Sequence, residues 1–504
     1  MLGAAPARAQ DPAPFPRQAV ERVLAESLHL LLERHLVRAA PADLALWSLR
    51  GLGAIDPRIE PLRRGAELRL TVEDQPIAVA PLAPLGTREP AGAASALAAA
   101  LGGFYEAGWH ASPALRRAGV ERLIASGFEE VFNHLDPYSR YVTPAEARAA
   151  RERRVGQAGL GLRVAVQRDA LAVVSVAPGG PAALAGIRTG DQLLAVEDRR
   201  IGPRDPGLAA SLLEGPEGTS VRLTLLRAGR TRDVTLLRDL VPPVSVTAQR
   251  RDEILWIRLS GFSAMTERQL TAALVDGFAE RPPRGVVLDL RENRGGLLTQ
   301  AVAVADIFLV EGEVARTQGR HPDAARRYEA SGRDLAQGRP VVVLVDGRTA
   351  SAAEIVAMAL SERRRAAVVG SATQGKGLIQ LIAPLPNEAE IMVSWSQVLA
   401  PSGWPLHGLG VLPVVCTSLG PEIMAAGLTG LGAGPGVGPG AVMVPMAAAL
   451  DRKRAIRTPV PAAEAAALRG ACPPAEGRAG DLAAARALIE DPRAYAAALA
   501  TMGR

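Results

Sequence analysis

The sequence predicts a multidomain α/β protein: a helical N-terminal region, a β-rich middle block and an α/β region, followed by a Gly/Pro-rich stretch and terminal helices. Three observations lead there. Apolar residues at Val20, Val23, Leu24, Leu28, Leu31 and Leu32 recur three and four positions apart, the spacing of one helix face. From Gly159 to about Leu240 the pattern changes to short strands punctuated by Gly and Pro. Beyond Pro242-Pro243, apolar strands alternate with helices, which implies a mixed or parallel sheet covered by helices. A chain of 504 residues, 48% of them hydrophobic, can bury the cores this needs.

In order, residues 1–16 read as a leader or signal-peptide remnant, with Ala7-Arg8-Ala9 in the small-x-small pattern of a cleavage site. This favours a periplasmic or otherwise exported protein. Residues 17–150 form the helical domain, with a strand candidate at Glu67 to Val72. Two stretches echo each other: Trp47 to Pro57 and Gly127 to Pro137 each read as a helix stopped by a Leu/Ile-Asp-Pro run, because proline disfavours helix in the residue before it. The echo fits a degenerate repeat or chance. Glu146 to Gln157 is a charged connector. Residues 418–480 are a flexible linker by composition, and 481–504 are terminal helices.

Composition removes two classes. The net charge of +6 is spread along the chain and aromatics make up 3%, so the basic face with stacking rings that nucleic-acid binding needs is missing. No run of 18 apolar residues offers a membrane-spanning helix. The histidines show no metal-ligand spacing, no cofactor motif occurs, and His134 and His407 read as structural. Cys416 and Cys472 either pair in an oxidising compartment or are two unrelated thiols.

The chemistry concentrates between Pro340 and Gln380. Val341 to Val345 is a buried-strand run broken by Asp346-Gly347, and Ser351 opens a helix to about Arg363. A strand at Ala366 to Val369 then leads to Lys376, held between Gly375 and Gly377. Of the 58 cationic side chains only Lys376 and Lys453 are lysines. A lysine kept where arginine serves elsewhere suggests a proton-transfer role, since arginine stays charged and a buried lysine can lose its proton. Ser351-Ala-Ala-Glu354 also fits a helix capping box, so the serine taken alone reads as an N-cap; the two roles can coexist.

The block 157–241 resembles a PDZ domain. The likeness rests on Gly159-Leu160-Gly161-Leu162, on Pro181-Ala-Ala-Leu-Ala-Gly186 and on Gly190-Asp191 entering a strand. A Gly-Leu-Gly-Leu loop exposes backbone N–H groups that can hold a peptide's terminal carboxylate, and the neighbouring sheet edge can add the peptide as a strand. More widely, residues 125 to 417 resemble the C-terminal processing peptidases, or tail-specific proteases. The motifs are Leu135-Asp-Pro-Tyr-Ser-Arg-Tyr-Val-Thr-Pro144, Asp289-Leu-Arg-Glu-Asn-Arg-Gly-Gly296, Thr349-Ala-Ser-Ala-Ala-Glu-Ile355, Gln374-Gly-Lys-Gly377 and Ala400 to Val411. The chain departs from the family at Arg294, where proline is common, and at Val414, where aspartate is common.

That resemblance implies a crotonase/ClpP-like α/β catalytic domain over 242–417, with part of 125–150. It implies a Ser/Lys dyad: Ser351 as nucleophile, Lys376 as general base and Gln380 as the glutamine that orients them. Lowering a lysine from about 10.4 to about 7.5 costs roughly 4 kcal/mol, which burial must supply. The oxyanion donors would be the N–H of Ala352 and that of Gly295 or Gly296. The partners implied are proteins or peptides with apolar C-termini, and a homo-oligomer is a further expectation. The competing readings are a catalytically inactive PDZ peptide-binding scaffold and a crotonase-like acyl-CoA enzyme.

Overall fold

The computed structural model describes residues 14–81, 89–433 and 443–502. The leader pattern at Ala7 to Ala9 and most of the glycine run beginning at Gly432 lie outside the described residues. The chain forms two compact units. One contains the described residues up to Arg148 together with Thr317–Arg326 and Leu378–Gln397. The other contains Ala149–Arg316, Arg327–Gly377 and the described residues from Val398 onward.

The first unit is built on four long helices. Arg17–Arg34 packs on Pro90–Ala111, and Pro41–Ile55 packs on Val120–Asn133. The second pair is the echo in the sequence, and small residues explain its closeness. A Cβ on Gly51 would stand 2.4 Å from the Ser126 carbonyl oxygen, and one on Gly127 would stand 2.9 Å from the Ser48 hydroxyl oxygen. The Ser126 hydroxyl donates to the Gly51 carbonyl at 2.8 Å. The region is not purely helical. Ile59–Arg64, Glu67–Val72 and Gln75–Pro81 form an antiparallel meander, so the single strand expected from sequence is the middle one of three. Strands Arg140–Val142 and Leu378–Pro384 each pair antiparallel with Glu390–Leu399, whose residues as far as Gln397 belong to this unit.

In the second unit, the middle block is a small sheet in the order Arg230–Leu237, Ser220–Arg227, Gln192–Val196, Ala170–Val176, Leu162–Gln167. Leu171, Val173, Leu193, Val221, Leu223 and Leu225 fill its core. The larger sheet runs Val246–Arg251, Ile254–Leu259, Gly285–Asp289, Val341–Val345, Ala367–Gly370, Val415–Cys416. Its first pair is antiparallel and the rest parallel. Every residue of Gly285–Asp289, Val341–Val345 and Ala367–Gly370 is buried, which is why these segments read as unbroken apolar runs. In a parallel sheet the loops after successive strands emerge at one edge. The loops after Asp289, Val345 and Gly370 therefore gather there, the usual place for a site in such sheets.

The stretch read as a linker is largely folded. Helices Pro421–Gly432, Met443–Ala455 and Ala462–Arg469 occupy it. Its glycines and prolines lie mainly between helices, so composition averaged over the segment hid the alanine-rich helical stretches. The charged connector is likewise a helix, Pro144–Val155. Cys416 and Cys472 form a disulfide. Around it Met446, Ala449 and Leu450 pack with Ala372 and Leu412. Beyond the disulfide, Ala475 accepts from Gly347 N–H at 2.8 Å and from the Ser371 hydroxyl at 3.0 Å, fastening this segment to two of the strand ends.

Lys453, on helix Met443–Ala455, is 3% exposed. Its Nζ donates to the Gly410 carbonyl at 2.8 Å and lies 3.8 Å from the centre of the Trp404 ring. Burial lowers its pKa from 10.5 to about 7; Arg454 pushes the same way, against the attraction of Glu362 and Glu354. Between these values the native chain binds fewer protons than the unfolded chain. The cost of burying the ammonium is therefore full below pH 7 and disappears as pH rises through the window. Denaturant melts from pH 7 to 10 should show wild-type stability rising relative to Lys453→Met, by at most about 1.4 kcal/mol per pH unit. A difference that does not change with pH would contradict the burial of a titrating amine.

Candidate active site

Ser351 lies where strand Val341–Val345 turns into helix Ala352–Glu362. The turn is fixed by Asp346, whose carboxylate accepts from the N–H groups of Thr349 at 2.8 Å, Arg348 at 3.0 Å and Glu292 at 3.0 Å. Thr349 accepts from Asp346 N–H at 2.9 Å, and its hydroxyl reaches the Leu290 carbonyl at 2.9 Å. The turn therefore closes with Ser351 at φ 57°, ψ −120°, a conformation natural to glycine and strained for serine. A helix cap does not require this geometry, since N-cap residues ordinarily sit in the extended region. Strain of this kind at a strand-to-helix turn is what pushes a nucleophile outward from a sheet.

The loop after Gly285–Asp289 comes to the same place. Asn293, fully buried, accepts from Ala350 N–H through its backbone carbonyl at 2.9 Å and donates from Nδ2 to the Leu259 carbonyl at 2.9 Å. Gly295 has φ 97°, and a Cβ there would stand 2.8 Å from Ser351 Cβ and 3.0 Å from Ala352 N. Its N–H donates to Asn293 Oδ1 at 2.9 Å. By contrast, the N–H groups of Gly296 and Ala352 donate to no group among the described residues. Gly296 is held by the exchange of Phe262 N–H to Gly295 O and Leu297 N–H to Phe262 O, at 3.1 and 2.9 Å.

The third loop carries Lys376, which is half-buried. Its glycine neighbours are required by close backbone approach. A Cβ on Gly377 would stand 2.2 Å from His407 N, and one on Gly375, at φ 82°, would stand 2.9 Å from Gly408 O. Gln374 N–H donates to the Thr349 carbonyl at 3.0 Å, joining this loop to the serine turn.

Glu354 ties the loops together. Wholly buried at the start of the helix, its Oε2 accepts from Ser351 N–H at 2.8 Å and from Lys376 N–H at 2.8 Å. Its Oε1 accepts from Gly375 N–H at 2.6 Å and from the Thr373 hydroxyl. Burial raises its pKa, and the four donors oppose the rise. Sequence reasoning assigned Glu354 only to a capping box. The Ser351 half of that bond is present, but the same carboxyl also fixes the lysine loop, a role that nothing in local spacing could reveal.

The structure thus brings Ser351, Ala352, Gly295, Gly296 and the backbone of Lys376 into one cluster. Gln380 belongs to the first unit. There its Nε2 donates to Ser394 Oγ and to the Leu378 carbonyl, both at 3.2 Å, at a β-bulge. Ser394 Oγ donates in turn to Asp136 at 2.8 Å, which also accepts from His35 Nε2 at 2.8 Å and from the Ser139 hydroxyl at 2.5 Å. Burial would raise the Asp136 pKa, but these donors outweigh it and hold the carboxyl well below its usual range. Gly159, Leu160, Gly161 and Leu162 line a groove of 710 Å³ between strand Leu162–Gln167 and helix Pro206–Leu213, with Ala210 and Leu213 on the far wall. The N–H groups of Leu160 and Gly161 have no acceptor among the described residues.

The profile of peptidase family S41 matches residues 253–415, and that of a PDZ domain matches residues 173–227. The carboxy-terminal-processing protease of Bartonella bacilliformis is 35% identical over 299 residues, which span 58% of this chain and 69% of that protein. The carboxyl-terminal-processing protease of Synechocystis sp. is 34% identical over 299 residues, 57% of this chain and 69% of that protein. The carboxyl-terminal-processing protease of Picosynechococcus sp. is 35% identical over 289 residues, 55% and 69%.

The strain at Ser351 is measurable. Ser351→Gly should be more stable than Ser351→Ala by about 1 kcal/mol in chemical melts, because glycine adopts this backbone without a penalty. An alanine variant as stable as the glycine variant would show that the turn is unstrained.

Proposed function

The chain belongs to the carboxy-terminal-processing proteases of peptidase family S41, serine-type peptidases, and from that membership we propose a Ser351/Lys376 dyad that cleaves proteins near apolar C-terminal tails captured by the PDZ groove. One observation carries the reading: a single buried carboxyl oxygen, Glu354 Oε2, accepts from the backbone of both Ser351 and Lys376 while Ser351 is held in a strained turn.

In this mechanism neutral Lys376 takes the Ser351 hydroxyl proton as Oγ attacks the peptide carbonyl. Ammonium Lys376 then returns a proton to the departing amine, leaving an acyl group on Ser351. A water, deprotonated by the same lysine, attacks the ester and regenerates the serine. The oxyanion of each tetrahedral intermediate would lie between the N–H of Ala352, at the positive end of its helix, and the N–H of Gly296. The uncommitted state of both donors supports this pair; Gly295 is the weaker candidate, since its N–H is held by Asn293. Gln380 would orient the dyad, and its tie through Ser394 to Asp136 supports a fixed amide.

For the tail, the uncommitted N–H groups of Leu160 and Gly161 suit a carboxylate, and Leu162, Val164, Ala210 and Leu213 suit an apolar last side chain. The Cys416–Cys472 disulfide supports an exported, oxidising location.

Lys376→Arg should abolish hydrolysis of an unfolded, apolar-tailed protein while leaving circular dichroism and melting unchanged, because the guanidinium keeps its proton. Appreciable turnover by that variant would eliminate the general-base role. Amidating the substrate's C-terminus should raise KM by about tenfold or more, the loss of a charge-assisted contact, with kcat less affected. Equal KM for the acid and the amide would remove the PDZ loop from tail recognition.

A further inference from the structure

The chain contains two lysines, and the proposed dyad uses one. Lys453 occupies a slot that suits no other cation. Trp404, 1% exposed, lies beneath its Nζ at 3.8 Å, and the Gly410 carbonyl accepts from it at 2.8 Å. A guanidinium brings five donors and a wide plane that such a narrow site cannot satisfy. Around it, Glu362 accepts from Trp404 Nε1 at 3.2 Å and from Arg454 Nε at 2.9 Å. Helix Met443–Ala455 is therefore locked both to helix Ala352–Glu362 and to the segment that carries Trp404 and Gly410.

Gly410 is not a passive anchor. With φ 62°, it lies so close to the lysine loop that a Cβ would stand 2.9 Å from the Thr373 carbonyl oxygen and 3.2 Å from Gly375 N. Val411 N–H donates to Thr373 Oγ1 at 2.8 Å, Thr373 N–H to the Val411 carbonyl at 3.1 Å, and Gly408 N–H to the Gly375 carbonyl at 2.9 Å. Thr373 and Gly375 are the residues that reach Glu354 Oε1. The loop from Leu406 to Val411 is thus the bed on which the Gly-Lys-Gly loop rests, and an amine on a helix beyond it anchors that bed at Gly410.

We propose that Lys453 is a positioning residue for the peptidase reaction, holding the Leu406–Val411 bed, and through it the backbone of Lys376, by its hydrogen bond to the Gly410 carbonyl. The inference rests on the Ser351/Lys376 reading. It makes the C-terminal helix a working part of the active site, although that helix lies beyond residues 253–415 matched by the S41 profile. Small displacements of a catalytic group reduce the rate of the chemical step more than they reduce substrate binding.

The test compares Lys453→Met and Lys453→Gln in the full chain, with an apolar-tailed peptide as substrate. Methionine keeps the stem and removes the donor; glutamine is neutral and keeps a donor. Lys453→Met should lower kcat by about tenfold or more with KM within about twofold, and Lys453→Gln should recover part of that loss. Arg454→Met, which removes the ion pair to Glu362 from the same helix and keeps the Lys453 amine, serves as a stability control and should leave kcat within about twofold. Wild-type kcat in Lys453→Met, or losses in all three variants that follow their melting temperatures, would overturn the proposal. An active Lys376→Arg would instead overturn the dyad, so the two failures are distinct.

Discussion

Much of this site depends on one carboxyl group that water does not reach. Glu354 accepts four hydrogen bonds, and three come from backbone N–H groups on two loops that are neighbours only because parallel strands end side by side. An unsatisfied carboxyl in that position would be costly, and so would four buried donors without it. The cost acts as a constraint: the serine turn and the lysine loop cannot separate without exposing both. That constraint explains how Ser351 can be kept in a conformation that costs about 1–3 kcal/mol. It also explains the glycines, since the backbone must pass within a Cβ's width at Gly295, Gly375 and Gly377.

The remaining supports act on the same loops from outside. Asp346 shapes the turn before Ser351, Asn293 aligns the glycine-rich strand end, and the disulfide with Ala475 fastens the C-terminal segment to the strand ends beneath them. Lys453 braces the bed of the lysine loop. Asp346, Asn293 and Lys453 are polar groups bonded to backbone atoms, so they fix chain path rather than a movable side chain. In the first unit, Asp136 is tied to Gln380 through side chains, by way of the Ser394 hydroxyl.

Legibility in the sequence followed the range of the interactions. Val341–Val345 and helix Arg17–Arg34 were readable because burial and amphipathic spacing are local patterns. The folded helices within 421–469 were not, because glycine and proline between them dominated the composition. Strands Leu378–Pro384 and Glu390–Leu399 gave no clean alternation, being partly buried along most of their length or on both faces. Ser351 and Lys376 were visible through their motifs. The Glu354 bridge, the uncommitted N–H of Gly296 and the Lys453 anchor depend on contacts between segments tens of residues apart, which no spacing rule encodes. Lys453 was nonetheless marked by its rarity, a signal whose meaning only its surroundings supplied.

The central claim is that Ser351 carries the acyl group, with Lys376 taking its proton. Acid quench of a reaction with an apolar-tailed substrate, followed by peptide mapping on a mass spectrometer, tests it directly. The account predicts a mass increment confined to the peptide containing Ser351, present in the wild type and missing from Lys376→Arg. An increment on another residue, or the same increment on Ser351 in Lys376→Arg, would contradict it.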